Sequence, residues 1–159
     1  MILVLLGTQN NSFHRLLEEV EKNIKNKTIQ EEVIVQAGYT KFESKNMKII
    51  DLMSKEELAE YQDKASLIIT HGGVGSIISS IEKEKKVIAV PRKHEYGEHV
   101  NNHQIQIIKD FTDKGYIIGI KNVEDLHDAI IKSKTFEPVK YQPNNSKMLK
   151  IIENFIENI

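Results

Sequence analysis

The stretch ASLIITHGGVGSIISS, residues 65–80, joins an apolar run to a glycine-rich turn and then to a segment with helical spacing. Unbroken apolar runs of this length are typical of strands that are buried on both faces of a sheet. The three glycines within residues 72–75 let the backbone turn sharply, and Ser76 is the predicted N-cap of the following helix. Helix starts attract anions through their amides and dipole. The stretch therefore predicts a strand–loop–helix unit with a candidate anion site beside His71.

Apolar runs of strand length recur along the chain. They are 2–6, 32–37, 47–52, 66–70, 87–91 and 116–120. Segments with helical spacing lie between them, the first with an apolar face of Phe13, Leu16, Leu17 and Val20. The alternation predicts the α/β class, with a doubly wound, Rossmann-like parallel sheet and right-handed crossovers. In such sheets ligands bind at the carboxyl ends of the strands, where the glycine-rich turn lies.

The length of 159 residues predicts a single domain. The strand and helix repeats occupy residues 1–134, and residues 135–159 are expected to form a crossing segment and an amphipathic C-terminal helix of the same domain. The apolar stripe of that helix consists of Met148, Ile151, Ile152, Phe155, Ile156 and Ile159. Packing of the helix on its own sheet and docking to a partner both remain open.

Charge and composition exclude several classes of protein. Twenty-two basic and 23 acidic side chains give a net charge of −1 without a basic stripe, so nucleic acid is not an expected partner. The absence of cysteine excludes thiolate metal sites and thiol nucleophiles, and fits a cytoplasmic location. The N-terminal apolar run lacks the basic residues of a signal peptide, and no apolar run is long enough to span a bilayer.

Phosphate or diphosphate is the expected ligand of the glycine-rich turn. The turn does not match three familiar motifs: the P-loop, the dinucleotide-binding fingerprint and the nucleophile elbow. A P-loop needs a lysine after its last glycine, and the dinucleotide fingerprint needs a glycine where Ile78 stands. The nucleophile elbow has a different glycine pattern. A purely structural role for the turn and for His71 stays open on the residues alone.

A second polar cluster, PRKHEYGEHVNNHQ at residues 91–104, follows the fifth apolar run. Its amide, imidazole and carboxylate groups suit the hydroxyls of ribose or a sugar, and Arg92 is predicted to reach phosphate. The alternative is the capping of a helix start. His99 and His103 have helical spacing, but Val100 replaces the glutamate of the zinc-protease motif and no third ligand is evident, so no metal is expected.

The motifs LGTQ, THGGVGS, VIAVPR and GEHVNNHQ together resemble the C-terminal, donor-binding half of GT-B glycosyltransferases over residues 1–120. The resemblance is strongest to stand-alone donor-binding subunits of split transferases. These act in bacterial capsular and exopolysaccharide synthesis, and a eukaryotic relative is the dolichol-linked UDP-N-acetylglucosamine transferase. The resemblance implies a single domain of the GT-B C-terminal type.

The resemblance also implies a set of site residues. His71 would stabilise the diphosphate of a UDP-sugar as the catalytic residue, while a partner supplies the general base. The implied substrate-binding residues are Gly7, Thr8, Gly72, Gly73, Gly75, Ser76, Arg92, Glu98, His99, Asn102, His103 and Gln104. Ser79 departs from the family, because many UDP-sugar transferases carry a ribose-binding glutamate there.

The function implied by the resemblance is transfer of a hexose or N-acetylhexosamine from a UDP-sugar to a lipid-linked saccharide in polysaccharide biosynthesis. This hexosyltransferase subunit would need no cofactor and would be inactive without a membrane-associated, acceptor-binding partner. It would lie peripherally at the cytoplasmic face of the inner membrane through that partner. Self-association stays open. The alternative is a non-catalytic module that binds nucleotide sugars or regulates another enzyme.

Overall fold

A computed structural model describes residues 1–7, 11–97 and 103–142. The predicted C-terminal helix lies outside these residues. So do four of the predicted site residues, Thr8, Glu98, His99 and Asn102.

The strands and helices alternate along the described chain. The strands are Ile2–Leu5 (β1), Val33–Gln36 (β2), Lys48–Ile50 (β3), Leu67–Thr70 (β4), Val87–Ala89 (β5) and Ile118–Gly119 (β6). The α-helices are His14–Lys25 (α1), Lys55–Lys64 (α2), Val74–Glu82 (α3), His103–Asp113 (α4) and Leu126–Ser133 (α5). Short 3-10 helices span His94–Tyr96 and Val123–Asp125. Each strand falls within or beside the apolar run that predicted it.

The strands form one parallel sheet in the order β3-β2-β1-β4-β5-β6. In register, Leu5 at the end of β1 pairs with Gln36 of β2 on one side and with Thr70 of β4 on the other. The prediction of a doubly wound, Rossmann-like sheet is therefore confirmed.

Apolar side chains cover both faces of the sheet because successive strand residues point to opposite sides. On one face Val4 packs with Leu16 and Leu17 of α1. On the other face Leu5 packs with Ile77 of α3 and with residues of α4. Since β1 and β4 are neighbours whose helices cover opposite faces, the crevice in which such sheets bind ligands is expected at the carboxyl ends of these two strands.

At the opposite edge of the sheet, the terminal ammonium of Met1 donates to Glu31 Oε1 at 2.7 Å, and Ser66 Oγ donates to the same oxygen at 2.7 Å. The hydrogen bond from the terminal ammonium, followed by that from Ser66, holds the pKa of Glu31 below its ordinary value of 4.5. The stabilisation is therefore present above that value and is lost as the pH falls through the lowered pKa.

Glu31→Gln is expected to lower the free energy of unfolding at pH 7 by less than about 1 kcal/mol, because the carboxylate is half exposed. The difference from the parent chain should be smaller at pH 3 than at pH 7, because the stabilisation decreases as the pH falls below 4.5 towards the lowered pKa of Glu31. Urea unfolding at both pH values measures it, with the exposed neighbour Glu32→Gln as the control for charge removal. A difference that persists unchanged at pH 3 would contradict this assignment.

Candidate functional site

The imidazole of His71 lies in a slot between two glycines. His71 directly follows β4 and is 5% exposed. A Cβ added at Gly7 would lie 2.6 Å from His71 Nε2, and one at Gly73 would lie 2.6 Å from Cε1. Distances this short exclude any side chain larger than hydrogen at either position unless the ring moves. The two glycines are thus required by the ring itself.

Gly7 has a second reason to be glycine. It follows β1 by two positions with a φ of +73°, a left-handed conformation that side chains disfavour. The turn brings the first loop of the sheet against His71, although 64 positions separate the two residues. The structure therefore brings together Gly7 and His71, two of the residues that the resemblance implies for the site.

Helix α3 begins at Val74, and its N-cap is Gly73 in extended conformation. The prediction that Ser76 is the N-cap is wrong, because Ser76 already lies within the first turn. Gly73 leads directly into helical geometry, and its carbonyl accepts the first helical hydrogen bond from Ile77 N at 3.1 Å. The amides of the first turn have no earlier helical carbonyl to bind, so they and the helix dipole favour an anion here.

Gly75 and Gly72 differ in what surrounds them. A Cβ at Gly72 would lie 2.6 Å from Ile108 Cδ1, so this glycine allows α4 to pack against the loop. A Cβ at Gly75 would meet nothing within 4 Å among the described residues, and Gly75 is exposed. Packing within the described chain gives no reason for glycine at position 75. Its bare backbone instead leaves the first turn of α3 open to a ligand.

Arg92 does not lie at an open surface, in contrast to the expected phosphate contact. It is 1% exposed, and its guanidinium donates hydrogen bonds to the backbone carbonyls of Leu6 and Asn11. The guanidinium carbon lies 5.2 Å from the centre of the Phe13 ring. The structure therefore places Arg92 in contact with Leu6, the neighbour of Gly7, and with Asn11.

Gln104, predicted to face the sugar, lies in the first turn of α4 and is 1% exposed. Its Oε1 accepts a hydrogen bond from the backbone amide of Arg92 at 3.3 Å. His103 is the first residue of α4. The structure thus connects Gln104 to the loop after β5 and places it next to Arg92.

Gln62 of α2 is a residue of this region that the sequence did not reveal. It is buried, and its Nε2 donates to Ser79 Oγ at 3.0 Å and to Ser80 Oγ at 3.2 Å. Ser79, where the resemblance would lead one to expect a glutamate, therefore contributes to a contact between α2 and α3. No pattern in the sequence pairs a glutamine with serines 17 and 18 positions away.

Within the described ranges, no group of three or more histidine, aspartate or glutamate side chains is arranged to hold a metal ion. The side chains of His99 and His103 lie outside the described part of the chain. Among the described helices, none is long and apolar enough to cross a membrane.

The sheet order, the enclosed imidazole and the start of α3 define a Rossmann-like domain that carries His71 at its topological switch point, between β1 and β4. Residues 1–159 match the glycosyltransferase family 28 C-terminal domain, and the chain belongs to that family. The predicted resemblance to the donor-binding half of GT-B glycosyltransferases is thereby confirmed.

Two curated relatives are proteins called UDP-N-acetylglucosamine transferase subunit ALG13. The chain is 29% identical to the Candida albicans protein over 89 residues, which cover 55% of this chain and 29% of that protein. It is 24% identical to the Candida glabrata protein over 139 residues, 85% of this chain and 67% of the relative. The chain thus matches less than a third of the length of the Candida albicans relative.

Solved structures share the fold. The solution structure of ALG13 has a TM-score of 0.60 and 20% identity, and the match covers 93% of this chain and 94% of that one. MurG of Acinetobacter baumannii has a TM-score of 0.56 and 17% identity, with 98% of this chain and 49% of that chain covered. These similarities confirm the predicted fold class.

Proposed function

We propose that this chain is the donor-binding subunit of a two-component glycosyltransferase and that it holds the diphosphate of a UDP-sugar in the crevice between β1 and β4. The observation that carries the proposal is the His71 slot beside the bare first turn of α3. Gly7 and Gly73 fix the imidazole, and Gly75 leaves the helix amides accessible. An imidazole and helix amides on one side of a crevice form a site for a negatively charged group.

The proposed chemistry is stabilisation of a leaving group. During transfer the bond from the anomeric carbon to the diphosphate oxygen breaks, and its electron pair remains on the departing UDP. Fixed donors near that oxygen stabilise the growing charge because they need not reorganise during the reaction. His71 and the amides of the α3 start would supply this stabilisation without a metal ion or cofactor.

A partner is part of the proposal, because the acceptor hydroxyl must lose its proton to a base within hydrogen-bond reach. His71 is 5% exposed and is enclosed by two glycines, which suits a fixed donor to the diphosphate better than a base that must reach an acceptor. The relatives are themselves called subunits. We therefore assign the base and the acceptor site to a second, membrane-associated polypeptide.

The proposed donor rests on the names of the relatives, and the proposed acceptor rests on the resemblance. The names of the relatives favour UDP-N-acetylglucosamine as the first donor to test. The acceptor proposed is a lipid-linked saccharide of a bacterial capsule or exopolysaccharide, and the chain would lie at the cytoplasmic membrane face through its partner.

Removing the imidazole tests the site. His71→Ala is expected to weaken UDP binding by about tenfold to a hundredfold, since it removes a hydrogen bond to a charged group. Binding of uridine, which has no phosphate, should change little. Calorimetric titration with UDP, UMP and uridine measures the difference.

The control is His127→Ala, which removes an imidazole that contacts Asn23 and Thr28 instead of the glycines. It should bind UDP as the parent chain does. Equal losses for UDP and uridine in His71→Ala would assign His71 a structural role. Absence of UDP binding by the parent chain would refute the proposed function.

A further inference from the structure

Arg92 connects parts of the carboxyl edge that are not adjacent in the sheet. The residue follows β5, whereas its guanidinium donates to the carbonyls of Leu6 and Asn11 on either side of the β1–α1 loop. Strand β4 lies between β5 and β1. The side chain of Arg92 therefore extends past the end of β4, the strand that His71 follows.

The geometry of the guanidinium fixes the carbonyls of Leu6 and Asn11 relative to each other. Its donors form a rigid, planar fork, so two carbonyls that accept from one guanidinium are held at a set separation. Hydrogen bonds from a charged donor are stronger than those between neutral groups. Arg92 is also 1% exposed, so little water competes for these carbonyls. The distance between the carbonyls of Leu6 and Asn11 is thus set by a side chain that follows another strand, β5.

Gly7, next to Leu6, is one wall of the His71 slot. Its Cα lies so close to the ring that an added Cβ would be 2.6 Å from Nε2 and 2.8 Å from Cε1. A displacement of the loop by about 1 Å would change the width of this slot, and misplacements of that size impair function substantially.

The backbone of Arg92 is itself held in place. Its amide donates to Oε1 of the buried Gln104 in the first turn of α4, at 3.3 Å. The ring of Phe13, which is 0% exposed, lies 5.2 Å from the guanidinium carbon. Arg92 therefore has a defined position from which it can orient the loop.

We propose that Arg92 is a positioning residue that holds Leu6 and the adjoining Gly7 against the His71 imidazole and does not itself bind the donor phosphates. Its effect on UDP affinity rests on the proposed function, whereas its effect on the Gly7–His71 spacing does not. The two parts can therefore fail separately.

Arg92→Lys tests the proposal because lysine keeps the charge and loses the fork. In the ligand-free chain, the variant should shift the His71 ring resonances and weaken the nuclear Overhauser effect between Gly7 Hα and the His71 ring protons. UDP binding should fall by about tenfold or more. The matched control is Arg15→Lys, the same chemical change at a guanidinium that stacks 3.9 Å from the centre of the Tyr96 ring. It should leave the His71 signals in place.

A second measurement uses the unaltered protein, so it tests the positioning role of Arg92 even if Arg92→Lys does not fold. Hydrogen-bond correlations from the Arg92 Nη atoms to the carbonyl carbons of Leu6 and Asn11 should be present without UDP and should persist when UDP saturates the site. Their absence, or their loss on adding UDP, would overturn the proposal.

The remaining outcomes are also distinguishable. Weakened UDP binding in Arg92→Lys with an unchanged Gly7–His71 signal would make Arg92 a direct ligand and overturn the proposal. If the parent chain binds no UDP, the proposed function fails. A weakened Gly7–His71 signal in ligand-free Arg92→Lys would still support the positioning role.

Discussion

Gly73→Ala is expected to weaken UDP binding at least as much as removal of the imidazole, by about tenfold to a hundredfold. The backbone of Gly73 has a φ of −68° and a ψ of 135°, which alanine adopts without strain. The added Cβ would lie 2.6 Å from His71 Cε1 and 2.8 Å from Nε2. Gly7 closely approaches the same two ring atoms, so the ring has little room to move within its slot. It must leave the position in which it would meet the diphosphate.

The same substitution should also lower the free energy of unfolding by about 1 to 3 kcal/mol, the usual cost of an oversized group in a packed region. Calorimetry with UDP and uridine measures affinity, and urea unfolding measures stability. UDP affinity equal to that of the parent chain would show that the position of the ring is irrelevant to binding.

Gly75→Ala, two positions along, is the matched comparison. No described atom lies within 4 Å of its added Cβ, and the residue is inside the first turn of α3. Alanine is favoured over glycine in a helix by about 0.5 to 1 kcal/mol, so this variant should be more stable than the parent chain. It should nevertheless bind UDP more weakly, because the methyl group occupies the space assigned to phosphate. Unchanged UDP affinity would place the ligand away from this turn.

The sequence predicts most of the fold because the fold depends on local patterns. Six apolar runs of strand length predicted six parallel strands, and the glycine-rich turn after residues 66–70 predicted the loop at the carboxyl edge. Periodicity and turn chemistry act over a few residues, so they can be read from one chain.

The details of the site depend on contacts between distant residues. Arg92 and Leu6 are 86 positions apart, and no local pattern indicates that a polar residue in a hydrophilic segment donates to backbone in the interior. The role of Gly7 as a wall of the His71 slot has the same origin. The position of the α3 start was missed for a local reason: serine is a common N-cap, but the glycine three residues earlier adopted the cap conformation.

Transfer is expected to require a second polypeptide. Membranes from the source organism that lack this chain should not incorporate N-acetylglucosamine from labelled UDP-N-acetylglucosamine into lipid-extractable material by this route, and the purified chain alone should not do so either. Mixing the two should raise incorporation by about a hundredfold or more, since proton transfer by a positioned base contributes about 10² to 10⁴ in rate. Scintillation counting of the lipid extract measures the product.

Two variants make this experiment specific to the donor site. His71→Ala should restore little transfer to the mixture, whereas His127→Ala, which alters a contact with Asn23 and Thr28, should restore it fully. Turnover by the purified chain alone with a soluble acceptor would show that the base lies in this chain. A non-catalytic module would behave differently again: it would bind UDP in calorimetry, yet incorporation by the membranes would not depend on its addition. The experiment thus distinguishes a donor-binding subunit that stabilises the leaving UDP from a module that only binds nucleotide. Only for the donor-binding subunit should transfer by the partner depend on His71.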